Sequence, residues 1–509
     1  MSQTDQDAII AFLASPAAFD GTAPVQRIDT HFSVVTLAGE RVLKLKRAVT
    51  NDLLDYGSVE MRRQACLDEL AINRRSAPDL YREVLPVTRD DQGALRLGGD
   101  GEALDWVLVM RRFDEGGLFQ DLAQHGALTE TLIDGAADAV ARLHAIAETA
   151  PERGGLEDMR WIVEGNIAAL EGAGVAPIEP ATVAALAQAS REALEQHGAL
   201  LEQRRREGRT RRCHGDLHLG NICLVEGTPT LFDAVEFNDR IACCDLLYDL
   251  AFLVMDLWAR GHHGHANRVL NRYLWRTADW QGLALLPLFL SCRAAIRAKT
   301  SVWAADVQEN PDEADQQHRQ ATAYLDLALH TLQRPAVSML ALGGLSGTGK
   351  TTLAMALASE QPGVPGALVV RSDILRKQLA GVPFEEKLER RAYTPESSAA
   401  VYERLESVAA QALEAGFSVI ADAVFLRPQE RDAIAAVAHR AGCAFRAFWL
   451  EAPHPMLHER VGDRHHDASD ADASVVDFQA CQDTHEIAWP RLDTRHGLRD
   501  VIPRVRQAR

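Results

Sequence analysis

Cysteine, aromatic side chains and long apolar runs are all scarce in this chain, and each shortage removes a class of protein. Eight cysteines in 509 residues are too few for a disulfide framework, so reduced thiols and a cytoplasmic location are expected. The longest apolar run, Gly282 to Cys292 (GLALLPLFLSC), is too short for a bilayer and holds a proline, so no membrane partner is expected. The opening MSQTDQDAII has no basic segment ahead of an apolar one, and no secretory signal is expected. Positive charge is also in deficit. The 54 Lys+Arg against 72 Asp+Glu leave a net charge of −18, which works against loose binding to nucleic acid. The deficit is uneven: from Ala336 onward 20 basic residues face 23 acidic ones, while the first 335 residues carry 34 against 49. A nucleic-acid partner is therefore compatible with the C-terminal part only.

What is present is ordinary for a globular protein. The length predicts two or three domains. Residues 31–47 (HFSVVTLAGERVLKLKR) read as a hairpin turning at Ala38-Gly39, residues 59–75 as a helix, and residues 105–112 as a buried strand. Residues 127–206 are helical in pattern. NICLVEGTPTLFDAV reads as two strands around a Gly-Thr-Pro turn, and residues 245–330 as helices broken by the loop GHHGH. At QRP (333–335) a helical stretch stops and an apolar strand begins, so the domains are placed at 1–334 and 335–509.

RRCHGDLHLGNICLV, from Arg211 to Val225, poses a choice. Cys213, His214, His218 and Cys223 could form a metal cage, but their spacing lacks the tight pairs of structural zinc sites. The spacing matches H-x-D-L-x-x-x-N, in which the Asp lies beside an acceptor hydroxyl and the Asn on a metal ion. Asp216 and Asn221 fill those positions, and Gly215 replaces the arginine of protein kinases. His218 is read as a brace for the loop. A second metal carboxylate is required shortly after, and Asp233 in TLFDAV follows an apolar strand. A phosphate-binding lysine belongs on an N-terminal strand. Lys44 and Lys46 share one face there, with Glu69 on the next helix as an ion-pair partner. Lys46 itself reads as a solvated strand residue, and Asp249 as a capping or loop-bracing group. The basic run Arg293, Arg297 and Lys299 reads as a solvated helix face, and GHHGH as an exposed loop.

With these residues, the stretch from about 25 to 330 resembles the aminoglycoside phosphotransferase family, whose catalytic loop is likewise HGDxHxxN. DLLYDLAF, Asp245 to Phe252, is similar to that family's D-x-x-x-DLA. The resemblance implies a protein-kinase-like bilobal fold with ATP and Mg²⁺. It makes Asp216 the general base, Asn221 and Asp233 the metal ligands, and Lys44 the phosphate contact. Nothing resembles an antibiotic-binding site.

GLSGTGKT, Gly344 to Thr351, is a full G-x-x-x-x-G-K-[ST] loop between a strand and a helix. Glycines at such positions let backbone N–H groups close around a phosphate at a helix N-terminus. Gly344, Ser346, Gly347, Thr348, Gly349, Lys350, Thr351 and Thr352 form the expected nucleotide cradle. Lys350 reaches the β/γ-phosphates and Thr351 the Mg²⁺. Strands at Val369–Val370, FSVIADAVF and AFRAFWLEA alternate with helices, which predicts a parallel doubly wound sheet. No hhhhDE motif follows; Asp422 either assists Mg²⁺ through water or caps a loop. This half resembles the P-loop kinases grouped around phage-type polynucleotide 5′-kinase, zeta toxins and gluconate kinase. By that resemblance Asp373 in RSDILRKQL is the base, Arg376 contacts the acceptor, and Arg460 and Arg464 are lid arginines.

The expected class is thus α/β and α+β in two domains, a kinase-like bilobal fold followed by a P-loop sheet. The expected function is a bifunctional ATP- and Mg²⁺-dependent kinase acting on small, sugar-like hydroxyl acceptors. Two other readings stay open: one domain senses nucleotide and regulates the other, or the C-terminal site phosphorylates polynucleotide 5′ ends.

Overall fold

The computed structural model describes residues 3–51, 54–172, 178–462 and 468–507. The chain divides into two compact units, Met1–Met159 with Leu201–Leu253, and Arg160–Leu200 with Val254–Arg509. This division differs from a break at 334/335: residues 254–334 cluster with the C-terminal sheet.

In the first unit, six strands form an antiparallel sheet in the order β1-β2-β3-β6-β4-β5. They are β1 (Gln26–Asp29), β2 (Ser33–Ala38), β3 (Arg41–Lys46), β4 (Tyr81–Arg89), β5 (Leu95–Leu97) and β6 (Asp105–Arg111). The expected hairpin is β2–β3, and Gly39 takes the left-handed φ of +55° that its tight turn requires. One face carries Val34, Leu43, Leu45, Val87, Val107 and Val109, packed with Ile9 and Leu13 of the helix Gln3–Leu13. The other face meets the helix Val59–Asn73, whose Arg62 is fully buried against Asp105 (Nε–Oδ1 2.8 Å). After this sheet come the helix Glu130–Ile146 and four short strands: β7 (Thr210–Arg212), β8 (Ile222–Val225), β9 (Thr228–Leu231) and β10 (Cys243–Asp245). The β8–β9 turn is Glu226-Gly227, with φ of +52° and +79°; Thr228 and Pro229, read from the sequence as turn residues, lie in β9. A two-residue turn of left-handed residues matches the twist of a hairpin.

The second unit is built on a parallel sheet ordered β12-β13-β11-β14-β15. Its strands are β11 (Ser338–Gly343), β12 (Leu368–Arg371), β13 (Val419–Asp422), β14 (Ala444–Glu451) and β15 (Arg491–Asp493). The first four are those expected, and the fifth is too short and polar to be read from periodicity. Strand β12 lies at an edge, where unpaired N–H and C=O groups need cover. The helix His263–Thr277 supplies it. Val369 N–H donates to Asn271 Oδ1 (2.7 Å), and Trp275 Nε1 donates to Val369 O (2.9 Å). Asn267 Nδ2 donates to the carbonyls of Pro365 and Ala367 at 3.0 and 2.9 Å.

Three basic or histidine-rich stretches differ from what their local sequence predicts. His263 to His265 begin that helix, so GHHGH is a loop only at its first residues. Arg293 is 2% exposed within the helix Leu286–Asp306, and Arg297 lies over the Tyr324 ring, so the basic run is not a solvated face. Lys46 is 3% exposed rather than solvated, because two carboxylates draw it inward. Among the described residues no helix is long and apolar enough to cross a membrane. All eight cysteines are free thiols.

Candidate functional site

The N-terminal site is assembled from β3, the helix Val59–Asn73 and the two loops flanking β8 and β9. Lys44 Nζ lies 2.7 Å from Glu69 Oε1 and 2.5 Å from Asp233 Oδ1. Lys46 takes the other Glu69 oxygen at 2.5 Å and also pairs with Glu236. Burial opposes charge on Glu69, but Lys44 and Lys46 outweigh it and hold its carboxyl down at about 2. Burial likewise opposes charge on Lys44, yet Asp233 and Glu69 keep its ammonium firmly protonated. Asp233 has a φ of +62°, an uncommon conformation that Asp tolerates better than most residues. Two side chains fix it: the Tyr81 hydroxyl accepts Asp233 N–H (3.0 Å), and Asn73 Oδ1 accepts Ala234 N–H (2.8 Å). Neither Tyr81 nor Asn73 was legible in the sequence. Each is remote in the chain and carries no motif.

The catalytic-type loop is braced from below. Asp249 accepts the N–H groups of His214 (3.1 Å) and Gly215 (2.8 Å), and His144 Nε2 lies 3.0 Å from it. The His214 ring links the loop to the strand that leads into Asp233, with Nε2 2.9 Å from Phe232 O. Burial lowers its pKa against the opposing pull of Asp249 and Asp216. Gly215 has a φ of +85°, and a Cβ there would sit 3.2 Å from two Val235 side-chain atoms, so an arginine cannot replace it without strain. Asn221 Nδ2 donates to both the carbonyl and Oδ2 of Asp216, at 2.8 and 3.0 Å. His218 Nδ1 accepts Gly220 N–H (3.0 Å) and its Nε2 lies 3.4 Å from Asp216 Oδ2, the expected bracing role. Cys213 and Cys223 are both buried, and Cys213 Sγ faces Cys244 O at 3.6 Å. A cavity of about 610 Å³ opens beside Gly39, Leu80, Arg111, Phe113 and Leu224, where β6 leaves the sheet.

In the second unit the C-terminal ends of three strands align. Leu342 of β11 pairs with Asp422 of β13, which pairs with Arg371 of β12. Thr351 Oγ1 donates to Asp422 Oδ2 at 2.6 Å, and Arg371 Nε lies 3.5 Å from that oxygen. Asp422 thus faces Thr351 across the strand ends; its signal was an apolar strand ending in a lone Asp. Lys350 Nζ donates to the carbonyls of Gly344 (2.8 Å) and Leu345 (3.0 Å). Gly344, Gly347 and Gly349 have φ of +134°, +88° and +89°, and a Cβ on Gly344 would lie 2.3 Å from Leu450 O. Gln479 Oε1 accepts Ser346 N–H at 2.9 Å, Thr348 Oγ1 donates to Leu345 O at 2.8 Å, and Thr352 is exposed on the first helical turn. Burial raises the Asp373 carboxyl, Arg371 pulls it down, and Asp422 raises it again, leaving a net upward shift.

The remaining expected residues are placed less openly. Arg376 donates to Ala392 O (2.7 Å) and stacks over Tyr393. Arg460 donates to Gly347 O (3.3 Å) and to Thr494 O (2.8 Å), so it holds the loop's backbone. Arg464 lies outside the described residues. Asp470, unremarked in the sequence, gathers Lys377 Nζ and the Tyr393 hydroxyl, each at 2.7 Å.

The Phosphotransferase enzyme family matches residues 28–286. The chain belongs to the phosphotransferase enzyme family. A second match, to the AAA domain, covers residues 339–485 of this phosphotransferase. Uncharacterized proteins of Mycobacterium tuberculosis and Mycobacterium bovis are each 30% identical to it over 488 residues, covering 94% of this chain and 93% of theirs. Among solved structures, a choline/ethanolamine kinase family protein from Mesorhizobium loti covers 64% of the phosphotransferase and 99% of its own chain at 15% identity, with a TM-score of 0.39. A putative kinase from Chloroflexus aurantiacus covers 34% and 98% at 22% identity, with a TM-score of 0.26. The phosphotransferase thus has two kinase-like domains, and its families imply ATP and a divalent metal ion.

Proposed function

We propose that both domains are active kinases and that each transfers a phosphoryl group from ATP, with Mg²⁺, to a hydroxyl of a small acceptor. The observation that carries this reading is the pair of separate constellations, Lys44–Glu69–Asp233 with Asp216–Asn221, and Lys350–Thr351–Asp422 with Asp373. The residues fit the groups. Asn221 and Asp233 offer hard oxygen donors suited to Mg²⁺, and the Gly344–Gly349 cradle is one that side chains would fill. Bound Mg·ATP supplies the electrophilic phosphorus and neutralises the leaving oxygen.

In the N-terminal site Asp216 orients the acceptor hydroxyl and takes its proton, Asn221 and Asp233 hold the metal, and Lys44, aimed by Glu69, holds the phosphates. In the C-terminal site Lys350 and backbone N–H groups hold the phosphates, and Thr351 with Asp422 positions the metal. Asp373 takes the acceptor proton there, Arg376 contacts the acceptor, and Arg460 secures the loop through Gly347 O; Arg464, the other expected lid arginine, lies outside the described residues. The free thiols support a cytoplasmic setting. The near-neutral charge of the C-terminal part favours a small acceptor over a polynucleotide end, which needs phosphate contacts along its length.

The test is an untargeted screen of hydroxyl acceptors with ATP, using Asp216→Asn and Lys350→Ala enzymes. Each substitution is expected to remove a different phosphorylated product, by about 10²–10⁴-fold for the base. If either leaves every ATP-dependent product unchanged, that site is not a kinase.

A further inference from the structure

The helix His454–Gly462 presents two histidines one turn apart. The rings of His454 and His458 are tilted with centroids 4.5 Å apart. Their Nε2 atoms converge on one oxygen: Asp477 Oδ1 lies 3.2 Å from His454 and 2.8 Å from His458. Asp477 stands on a different element, the helix Ala473–Ala480. All three side chains remain open to solvent, at 43%, 35% and 56% exposure. None of the three belongs to either kinase site.

We propose that His454, His458 and Asp477 bind a divalent transition-metal ion of the zinc type, which clips these two helices together beside the P-loop. A tetrahedral zinc with bonds of about 2.0–2.1 Å has neighbouring ligands about 3.3 Å apart. The two His–Asp477 separations need to open by only about 0.1–0.5 Å to admit the ion, and all three ligand atoms already lie within 4.8 Å of one another. Two imidazoles and one carboxylate form a borderline donor set that suits Zn²⁺, Co²⁺ or Ni²⁺, whereas Mg²⁺ takes oxygen ligands. The site is therefore chemically separate from either kinase metal. Three protein ligands leave a fourth position for water.

The place of the clip gives it a consequence. Leu457 and Val461 on one helix and Val476 on the other share an apolar cluster with Leu345 of the P-loop. Gln479 holds Ser346 N–H and Arg460 holds Gly347 O, so both helices grip the loop. Fixing their crossing fixes both grips. A second grouping, His144, Cys213 and Asp249, is fully buried, and Asp249 there already accepts the N–H groups that brace the HGD loop; it is a structural network.

The full-length protein, stripped with chelator and held without Mg²⁺, is titrated with Co²⁺ and then Zn²⁺. One equivalent of Co²⁺ is expected to give the visible absorption of four-coordinate cobalt, which Zn²⁺ abolishes. Zn²⁺ is expected to raise the melting temperature. A His454→Ala/His458→Ala enzyme and an Asp477→Asn enzyme are expected to bind about tenfold or more weakly and to lose the thermal shift. Circular dichroism checks that both remain folded. Lys350→Ala is expected to bind metal like the wild type, so the metal site can stand or fall apart from the kinase reading. Absence of one-equivalent binding, a purely six-coordinate spectrum, or equal binding by the Asp477→Asn enzyme overturns the proposal.

Discussion

Asp373 and Glu69 are carboxylates driven in opposite directions by their surroundings. Desolvation raises Asp373 while Arg371 holds it back. Replacing Arg371 with Met removes that restraint, so Asp373 stays protonated to higher pH. The acid limb of kcat/KM for the C-terminal product is expected to move up, with activity retained at alkaline pH. An unmoved limb would count against Asp373 as the base. Glu69 is depressed to about 2 by its two lysines, so its stabilising charge is complete above its ordinary value of 4.5 and is lost as pH falls towards 2. Glu69→Gln leaves two buried ammonium groups short of a partner and is expected to cost about 3–5 kcal/mol at neutral pH. Urea unfolding of both proteins should show that difference shrinking on acidification.

At the scale of the element, the HGD loop and strand β12 are each completed by groups that arrive from elsewhere. Gly215→Ala places a Cβ 3.2 Å from Val235 on a backbone with φ of +85°. A loss of about 1–3 kcal/mol and a fall in the N-terminal activity are expected, read by thermal unfolding and product formation. On β12 the edge groups of Val369 are satisfied by Asn271 and Trp275. Asn271→Leu leaves the buried Val369 N–H without an acceptor and is expected to cost about 1–3 kcal/mol in chemical denaturation. Trp275→Phe keeps the ring but loses one donor, and is expected to cost about 1 kcal/mol. Equal stability in both variants would mean that water can cover this edge.

For the whole molecule, the compact units set the expectation. A fragment of residues 335–509 lacks the helix His263–Thr277 that covers β12. The Val369 amide should resist hydrogen exchange in the full chain and exchange freely in that fragment, whereas a fragment of 254–509 should keep the protection. Equal exchange in the two fragments would show that the helix adds nothing to the sheet. The compact units and a boundary at 334/335 rest on different information. QRP marks where a helix stops and a strand starts, which is local information, but which side a helix packs on depends on side chains such as Asn267 and Trp275 meeting a strand about a hundred residues away.

Spacing alone determined the catalytic-type loop, the P-loop and the parallel strand pattern, because these depend on residues within a few positions of one another. Lys44 and Glu69 were also readable, since a strand followed by a helix brings them together in an obvious way. Only the tertiary structure decided that Lys46 is buried, that Asp422 reaches Thr351, that Tyr81 and Asn73 hold the strained Asp233, and that Arg460 grips Gly347. It likewise decided that Asp477 meets two histidines from another helix. Those contacts join segments far apart in the chain, and nothing local in a sequence records which distant partner a polar side chain will find.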